Sequence, residues 1–210
     1  MTNSGPNTTN PHDQNRAPGG SSAGSASAVA NFQVPLSIET QTGDTVIHPA
    51  SFTGIFAMKS THNTISPEDQ KICSITVDAV GFFARSIEDL QLVVNVFALK
   101  DDEPSRDISL KEARVAFMKT PMWHCAGSGT IVAMEKAAII FERYGVEVER
   151  VSFAPEFDDV EILKRMHNTV TNSDAQAAFL REYRMDKTKL DLEICSIVQN
   201  SSNYTRKEIL

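Results

Sequence analysis

The sequence has no long hydrophobic run and few cysteines. None of its apolar stretches approaches the ~20 residues that a membrane-spanning helix requires. The first residues, MTNSGPN, are polar and contain no basic and apolar leader segment. The three cysteines, Cys73, Cys125 and Cys195, form no CxxC pair and no zinc-binding pattern. These absences predict a cytoplasmic protein without a membrane partner, a disulfide framework or a metal site.

Basic residues are also scarce. The 20 Lys and Arg residues are outnumbered by 27 Asp and Glu residues, so the formal charge is −7. Since no basic block is present, we do not expect a nucleic-acid partner. What the chain does have is 210 residues and an apolar fraction of 41%, which are enough for a domain with a sizeable core.

Composition changes along the chain. Residues 1–10 are polar, have almost nothing to bury and are predicted to form a disordered tail. The stretch from Gly19 to Ala30 contains almost only Gly, Ser and Ala, which is typical of a flexible linker. It is equally typical of a helix that begins at a serine cap and packs closely against a sheet. Both interpretations stay open.

The rest of the chain has a more regular hydrophobic pattern. The segment from Ser86 to Asp89 (SIED) is similar to a capping box before an apolar run over 90–99, and it predicts a helix that stops at 101–104 (DDEP). Further along, the pattern predicts a buried strand, a helix, a half-exposed strand and a long helix whose apolar stripe is interrupted by Asp174. This order predicts an α/β fold with a right-handed crossover and a mixed or parallel sheet. These four elements are 113–118, 129–144, 146–153 and 157–184.

Four segments occur in an order and spacing typical of one enzyme family. They are APGGSSAGS (17–25), VPLSIETQTGDTVIHPA (34–50), TGIFAMKS (53–60) and VDAVG (77–81) followed by ARSIEDL (84–90). Together they resemble the amidase signature family, a group of serine amidohydrolases. The resemblance implies a partial amidase signature domain: a twisted mixed β-sheet flanked by helices on both faces. Residues 11–210 would then be the incomplete domain, with a signature core over 11–99 and a strand–helix–strand–helix continuation over 113–210.

The resemblance also implies a chemistry. In the family, a lysine deprotonates a serine that follows a cis peptide bond, here the Gly20–Ser21 bond. This cis-serine relays the proton from a second, nucleophilic serine, which attacks the amide carbonyl, and backbone N–H groups hold the oxyanion. No cofactor and no metal are implied. Carried over, the cis-serine is Ser21, the nucleophile position is Thr45, and the oxyanion and substrate-binding positions are Ser22, Thr42, Gly43 and Asp44.

The sequence departs from the family pattern at four points. Thr45 replaces serine, and its β-methyl group restricts χ1. Asp44 replaces glycine. A carboxylate ~5 Å from the oxyanion would repel it by roughly 3 kcal/mol at an effective dielectric constant of ~20, on the order of a hundredfold in rate. Ile47 stands at the usual arginine position. The family's catalytic lysine lies upstream of the cis-serine, and residues 1–20 include no lysine.

These departures leave two functional alternatives. One is an amidase-like protein that resembles hydrolases of carboxamide C–N bonds in small molecules, with little or no hydrolysis expected from the chain as written. The other is a catalytically inactive amidase-like binding protein or a truncated gene product. A transamidase subunit that acts on a charged tRNA also occurs in the family, but nothing in the sequence points to the partner proteins it would need. Because an incomplete sheet leaves strand edges unpaired, we also expect a homo-oligomer.

Two further residues could take part in the site. His48 could approach Thr45 with Asp44 or Asp78 as its orienting carboxylate, although a structural or exposed histidine is more common. Asp78 itself is predicted to accept hydrogen bonds from backbone groups. Lys59 matches a lysine position that the family places in the packed part of the domain, so we do not assign it as the base.

Two other groups of residues have alternative interpretations. His124 and Cys125 suggest a thiol–imidazole pair, but adjacent side chains in a loop usually point apart. The acidic residues within 156–161 open a helix and favour its dipole. Metal binding is the alternative interpretation of these carboxylates.

Overall fold

The computed structural model describes residues 7–100 and 108–209, and the chain divides into two compact units. The first unit combines Met1–Lys100 with Asn168–Leu210, and the second is Asp101–His167. Helices and strands occur in both units, so the predicted α/β class is confirmed. No helix within the described ranges is both long enough and apolar enough to cross a membrane.

A three-stranded antiparallel sheet forms the core of the first unit. Strands β1 (Leu36–Gln41) and β2 (Phe56–Lys59) pair with opposite edges of the central strand β3 (Ala79–Ala84). Every residue of β3 is buried, as its sequence AVGFFA, without a polar side chain, requires. The outer edges of β1 and β2 have no strand partner among the described residues.

Helices pack on both faces of this sheet. The side chains of Phe82 and Phe83 point to opposite faces because successive side chains of a strand alternate. Phe83 packs in one core with Val46, and Phe82 packs in another with Leu90. The first core includes residues of α1 and lies beside α2, whereas the second includes residues of α3. These helices are α1 (Ala23–Ala30), α2 (Ile47–Thr53) and α3 (Ile87–Val96).

The predictions for α1 and α3 can now be compared with the structure. The Gly/Ser/Ala stretch is helical over α1, where Ala26 is completely buried and small side chains allow close packing. Ser22 precedes α1, but its side chain makes no capping hydrogen bond. At α3 the Ser86 hydroxyl accepts the N–H of Asp89 at 3.1 Å, so the predicted cap is confirmed. The predicted stop at 101–104 lies outside the described residues.

The second unit contains a strand–helix–strand arrangement. Strands β4 (Arg114–Met118) and β5 (Glu147–Val151) pair in parallel, and α4 (Ser128–Arg143) connects them. Parallel neighbours need a crossover connection of this kind. The three elements confirm the strand, helix and strand predicted from the hydrophobic pattern.

The strands of the described residues form two sheets, whereas we expected one mixed sheet. Direct returns of the chain give antiparallel pairing in the first unit. The helical crossover of the second unit gives parallel pairing instead. Both types of pairing are therefore present, but in separate units.

A long helix, α5 (Val160–Asp186), follows β5, and its residues from Asn168 onward belong to the first unit. There Asp174 accepts hydrogen bonds from the Ser74 hydroxyl at 2.6 Å and from the Thr76 N–H at 3.0 Å. This contact explains why a carboxylate interrupts the apolar stripe of the helix: it binds the loop that precedes β3.

A second contact joins α5 to the same loop. Lys71 Nζ lies 2.6 Å from Glu182 Oε1, donates to the Ala178 carbonyl at 2.7 Å and lies over the ring of Phe179. The hydrogen bond from Lys71 holds the pKa of Glu182 below its ordinary value. Two short helices complete the described chain: α6 (Leu192–Val198) and α7 (Arg206–Ile209).

Candidate active site

The loop between β1 and α2 contains four of the predicted site residues, 42–45. Its start is held by Asp78, because the Thr42 hydroxyl donates to Asp78 Oδ1 at 2.6 Å. The other carboxylate oxygen of Asp78 accepts the N–H groups of Cys73 at 2.7 Å and Ser74 at 3.0 Å. The prediction that Asp78 binds backbone groups is confirmed, and the same carboxylate also anchors the loop.

The end of the loop is held by Gln41 and by β3. Gln41 Oε1 accepts the N–H groups of Val46 at 3.0 Å and Ile47 at 3.1 Å, so it satisfies donors at the start of α2. The side chain of Val46 is completely buried against Gly81, where a Cβ atom would lie only 2.6 Å from Val46 Cγ2. The loop is therefore clamped at both ends.

Between these clamps, three successive backbone N–H groups are free. The amides of Gly43, Asp44 and Thr45 have no hydrogen-bond acceptor within residues 7–100 and 108–209. Adjacent N–H donors of this kind can bind an anion or a developing oxyanion. Gly43 and Asp44 are exposed and Thr45 is half-buried, so a small molecule can reach them.

The hydroxyl of Thr45 already has a partner. Its Oγ1 donates to the carbonyl oxygen of Thr40 at 2.7 Å. Within the described residues, neither Ser21 nor His48 forms a hydrogen bond with it. A carbonyl cannot act as a base for this hydroxyl, so the arrangement binds the proton of Thr45 without activating the oxygen.

Ser21 lies on a loop that is pressed against α2. The Gly20–Ser21 peptide bond is cis, as the family resemblance predicts. Gly19 has φ +82°, and a Cβ atom there would lie 2.5 Å from Pro49 Cα. Only glycine permits this close approach in this conformation. The Ser21 loop therefore lies beside the helix whose N-terminal loop carries Thr45.

The segment before this loop caps the other end of α2. The amide of Asn10, which is only 3% exposed, donates to the carbonyls of Phe52 at 2.9 Å and Ala17 at 3.2 Å. His12 Nε2 lies 2.8 Å from the Thr53 carbonyl and donates to it. Residues 1–6 of the predicted tail lie outside the described residues, whereas Asn10 is packed. Sequence analysis did not identify Asn10 and His12 as positioning residues, although a buried asparagine is an uncommon environment.

Asp44 points away from the free N–H groups and toward His48. Its Oδ2 lies 3.3 Å from His48 Nδ1, and its side chain is 73% exposed. Water and the imidazole therefore screen this carboxylate, so the repulsion of roughly 3 kcal/mol expected at ~5 Å is an overestimate. The His48 ring also contacts the ring of Phe52 edge-on, with centroids 4.3 Å apart. One half of the alternative pairing, an Asp44-oriented His48, is thus present, without a bond to Thr45.

The remaining candidates have structural partners. His124 Nδ1 lies 2.9 Å from the Pro121 carbonyl, and Cys125 is exposed. Asp159 Oδ1 accepts two N–H groups in the first turn of α5, so this acidic segment caps a helix. Lys59 Nζ donates to the Ser60 carbonyl at 2.6 Å. Within the part of the chain that the structure describes, no group of His, Cys, Asp or Glu residues could hold a metal ion.

Comparison with known proteins places this geometry in a wider context. The sequence model of the amidase family matches residues 2–207. A glutamyl-tRNA(Gln) amidotransferase subunit of Syntrophomonas wolfei is 33% identical over 156 residues, which are 68% of this chain and 32% of that relative. A crystal structure of an amidase superposes with a TM-score of 0.81 at 21% identity, over 96% of this chain and 44% of that one. The 6-aminohexanoate cyclic dimer hydrolase, in complex with its substrate, gives 0.77 at 21% identity, over 96% and 46%. The chain thus spans less than half the length of these proteins.

Proposed function

The chain belongs to the amidase family, and from this we propose that it supplies the nucleophile and oxyanion part of a site that hydrolyses carboxamide C–N bonds in small molecules. Thr45 is the proposed nucleophile and Ser21 the proton relay. The backbone amides of Gly43, Asp44 and Thr45 are the proposed oxyanion donors. Thr42 fixes the shape of the loop through Asp78, and Ser22 lies next to the relay.

The proposed reaction has two stages. Thr45 Oγ1 attacks the amide carbonyl carbon while its proton passes to Ser21, which gives its own proton to a base. The negative charge on the carbonyl oxygen is stabilised by the free N–H donors. The C–N bond then breaks, and ammonia or an amine leaves with a proton. Water hydrolyses the resulting ester, releases the acid and restores the Thr45 hydroxyl.

The observation that carries the proposal is the position of the free donors. Gly43 and Asp44 immediately precede Thr45, and their N–H groups, like that of Thr45, have no acceptor in the described ranges. A loop held by Asp78 at one end and Gln41 at the other keeps these donors in place before substrate arrives. Such donors are effective because they need no reorganisation during the reaction.

A second candidate function is supported by the hydroxyl of Thr45. Its hydrogen bond to the Thr40 carbonyl leaves the oxygen without a base, which favours a catalytically inactive amidase-like protein that binds an amide at the same N–H donors. Both candidates take a small-molecule amide and neither uses a cofactor, nucleic acid or membrane. Both are proposed to act in the cytoplasm. The unpaired outer edges of β1 and β2 favour a homo-oligomer, which light scattering on the purified chain would detect.

Hydrolysis of a panel of aryl and aliphatic amides tests the first candidate. Thr45→Ala should abolish turnover, and Thr45→Ser should raise it because serine lacks the restricting β-methyl group. Thr64→Ala is a matched control, since the hydroxyl of Thr64 also donates to a backbone carbonyl at 2.7 Å. It should leave turnover unchanged.

Absence of turnover from folded protein in all variants, including Thr45→Ser, would reject the hydrolase. Binding would then be measured from the NMR shift of the Gly43 amide on addition of a simple carboxamide. A saturable shift would support the amide-binding function. No shift would reject both candidates.

A further inference from the structure

A cavity of about 430 Å³ lies in the second unit at the carboxyl ends of its two strands. Lys119, which directly follows β4, and Ser152 and Phe153, which directly follow β5, line it. In α/β proteins, ligands bind in the crevice outside the carboxyl ends of parallel strands. The volume is also within the range of small-molecule sites.

Two cationic side chains in this cavity are held in place by one carboxylate. Arg150 Nη2 lies 2.9 Å from Glu135 Oε2, and Lys119 Nζ lies 3.7 Å from Glu135 Oε1. The guanidinium of Arg150 also lies 4.8 Å from the centre of the Phe117 ring, and Lys119 lies 5.4 Å from that of Trp123. These contacts limit the rotamers of both side chains, so less entropy would be lost when they bind a ligand.

The walls of the cavity combine positive charge with aromatic surface. Lys119 and Arg150 line it together with only one carboxylate, that of Asp158. The ring of Phe117 is buried, and that of Phe153 is half-buried. The Ser152 hydroxyl has no hydrogen-bond partner within the described ranges and can donate to an anion. A planar guanidinium beside an ammonium and a hydroxyl suits a carboxylate, and the rings suit an apolar group attached to it.

Arg114 shows what a purely structural ion pair looks like in the same sheet. It lies at the opposite end of β4, where its side chain pairs with Glu147 at 3.1 Å and with Glu149 at 3.7 Å. No aromatic ring contacts it among the described residues, and it does not line this cavity. Glu135 differs because it holds two cations at the edge of a space large enough for a ligand.

We propose that this cavity binds a small carboxylate with an aromatic or other apolar substituent, through Arg150, Lys119 and Ser152. The site is independent of Thr45 and of the amidase reaction. The carboxylate would lie between the two cations, and its apolar substituent would contact Phe117 and Phe153.

Fluorescence of Trp123, the single tryptophan of the chain, provides the assay. Its ring lies 6.1 Å from that of Phe117, so a ligand in the cavity should change its emission. Titration with benzoate should give a saturable change. Benzamide, which lacks the charge, and acetate, which lacks the ring, should each bind at least about tenfold more weakly.

Variants of the same chain separate the cavity from general charge effects. Arg150→Gln and Lys119→Gln should each weaken benzoate binding by about ten- to hundredfold, whereas Arg114→Gln should leave it unchanged. Far-UV circular dichroism establishes that each variant is folded. The comparison of benzoate with benzamide on the unaltered chain needs no variant. Absence of a saturable change, equal binding of benzamide, or equal weakening by Arg114→Gln would overturn the proposal.

Discussion

Replacing Asp78 with alanine should release the loop that carries Thr45. The carboxylate accepts three hydrogen bonds, from the Thr42 hydroxyl at 2.6 Å and from the N–H groups of Cys73 and Ser74 at 2.7 and 3.0 Å. A hydrogen bond to a charged group contributes about 1.5–3 kcal/mol. Because Asp78 is only half-buried, water would satisfy part of what is lost. We expect the free energy of unfolding to fall by about 3–5 kcal/mol.

Asp78→Asn is the informative partner of this variant. Its amide oxygen can still accept the two N–H groups, and the Thr42 hydroxyl can rotate to accept from the new NH₂ group. We therefore expect a loss of only about 1 kcal/mol. Glu68→Ala removes an exposed carboxylate from the same loop region and serves as the control.

Urea unfolding followed by far-UV circular dichroism measures these differences, and amide hydrogen exchange locates them. Exchange should accelerate at Cys73 and Ser74 in Asp78→Ala, but much less in Asp78→Asn. Unchanged protection of these two amides in Asp78→Ala, with a stability loss below about 1 kcal/mol, would show that Asp78 does not hold the loop.

Two further predictions concern the packing and pH dependence of the first unit. Gly81→Ala should destabilise the chain by about 1–3 kcal/mol, because the new Cβ would lie 2.6 Å from a buried methyl group of Val46. The double variant with Val46→Ala should lose less than the sum of the single losses; additive losses would contradict the contact. Burial raises the pKa of the Asp174 carboxyl, but the hydrogen bonds from Ser74 and Thr76 outweigh it and bring the pKa below its ordinary value. Its contribution to stability is therefore complete above about pH 4 and is lost as the pH falls through the lower folded-state value. Asp174→Asn should reduce this acid-dependent loss in urea unfolding between about pH 5 and pH 2, and an unchanged pH profile would contradict it.

The local pattern of the sequence was sufficient for the second unit. The apolar strand, the helix and the alternating strand are each coded by neighbouring residues, and so is the Ser86 cap of α3. By contrast, α2 was not predicted. His48 precedes Pro49, and the residue before a proline usually avoids the helical region. The helix is compatible with Pro49 because the proline lies in the first turn, where its missing N–H is not needed.

The site could be predicted in part. The family resemblance placed 42–45 in one loop, which the structure gives, and Asp78 was predicted to bind backbone groups. The capping of α2 by Gln41 and by Asn10 could not be predicted, because each bond depends on a fold that brings distant segments together. The partner of the Thr45 hydroxyl likewise depends on the turn of the loop back toward Thr40, which sequence spacing does not encode.

The division of the chain has a consequence for its synthesis. The second unit is inserted between the two segments of the first, so the ribosome produces β4, α4 and β5 before the part of α5 that carries Asp174 and Glu182. These carboxylates bind Ser74 and Lys71, which were made about a hundred residues earlier. At about 5–20 residues per second, the loop before β3 waits at least ~5 s for its partners. The strand–helix–strand unit has only local contacts to form and can fold during that interval.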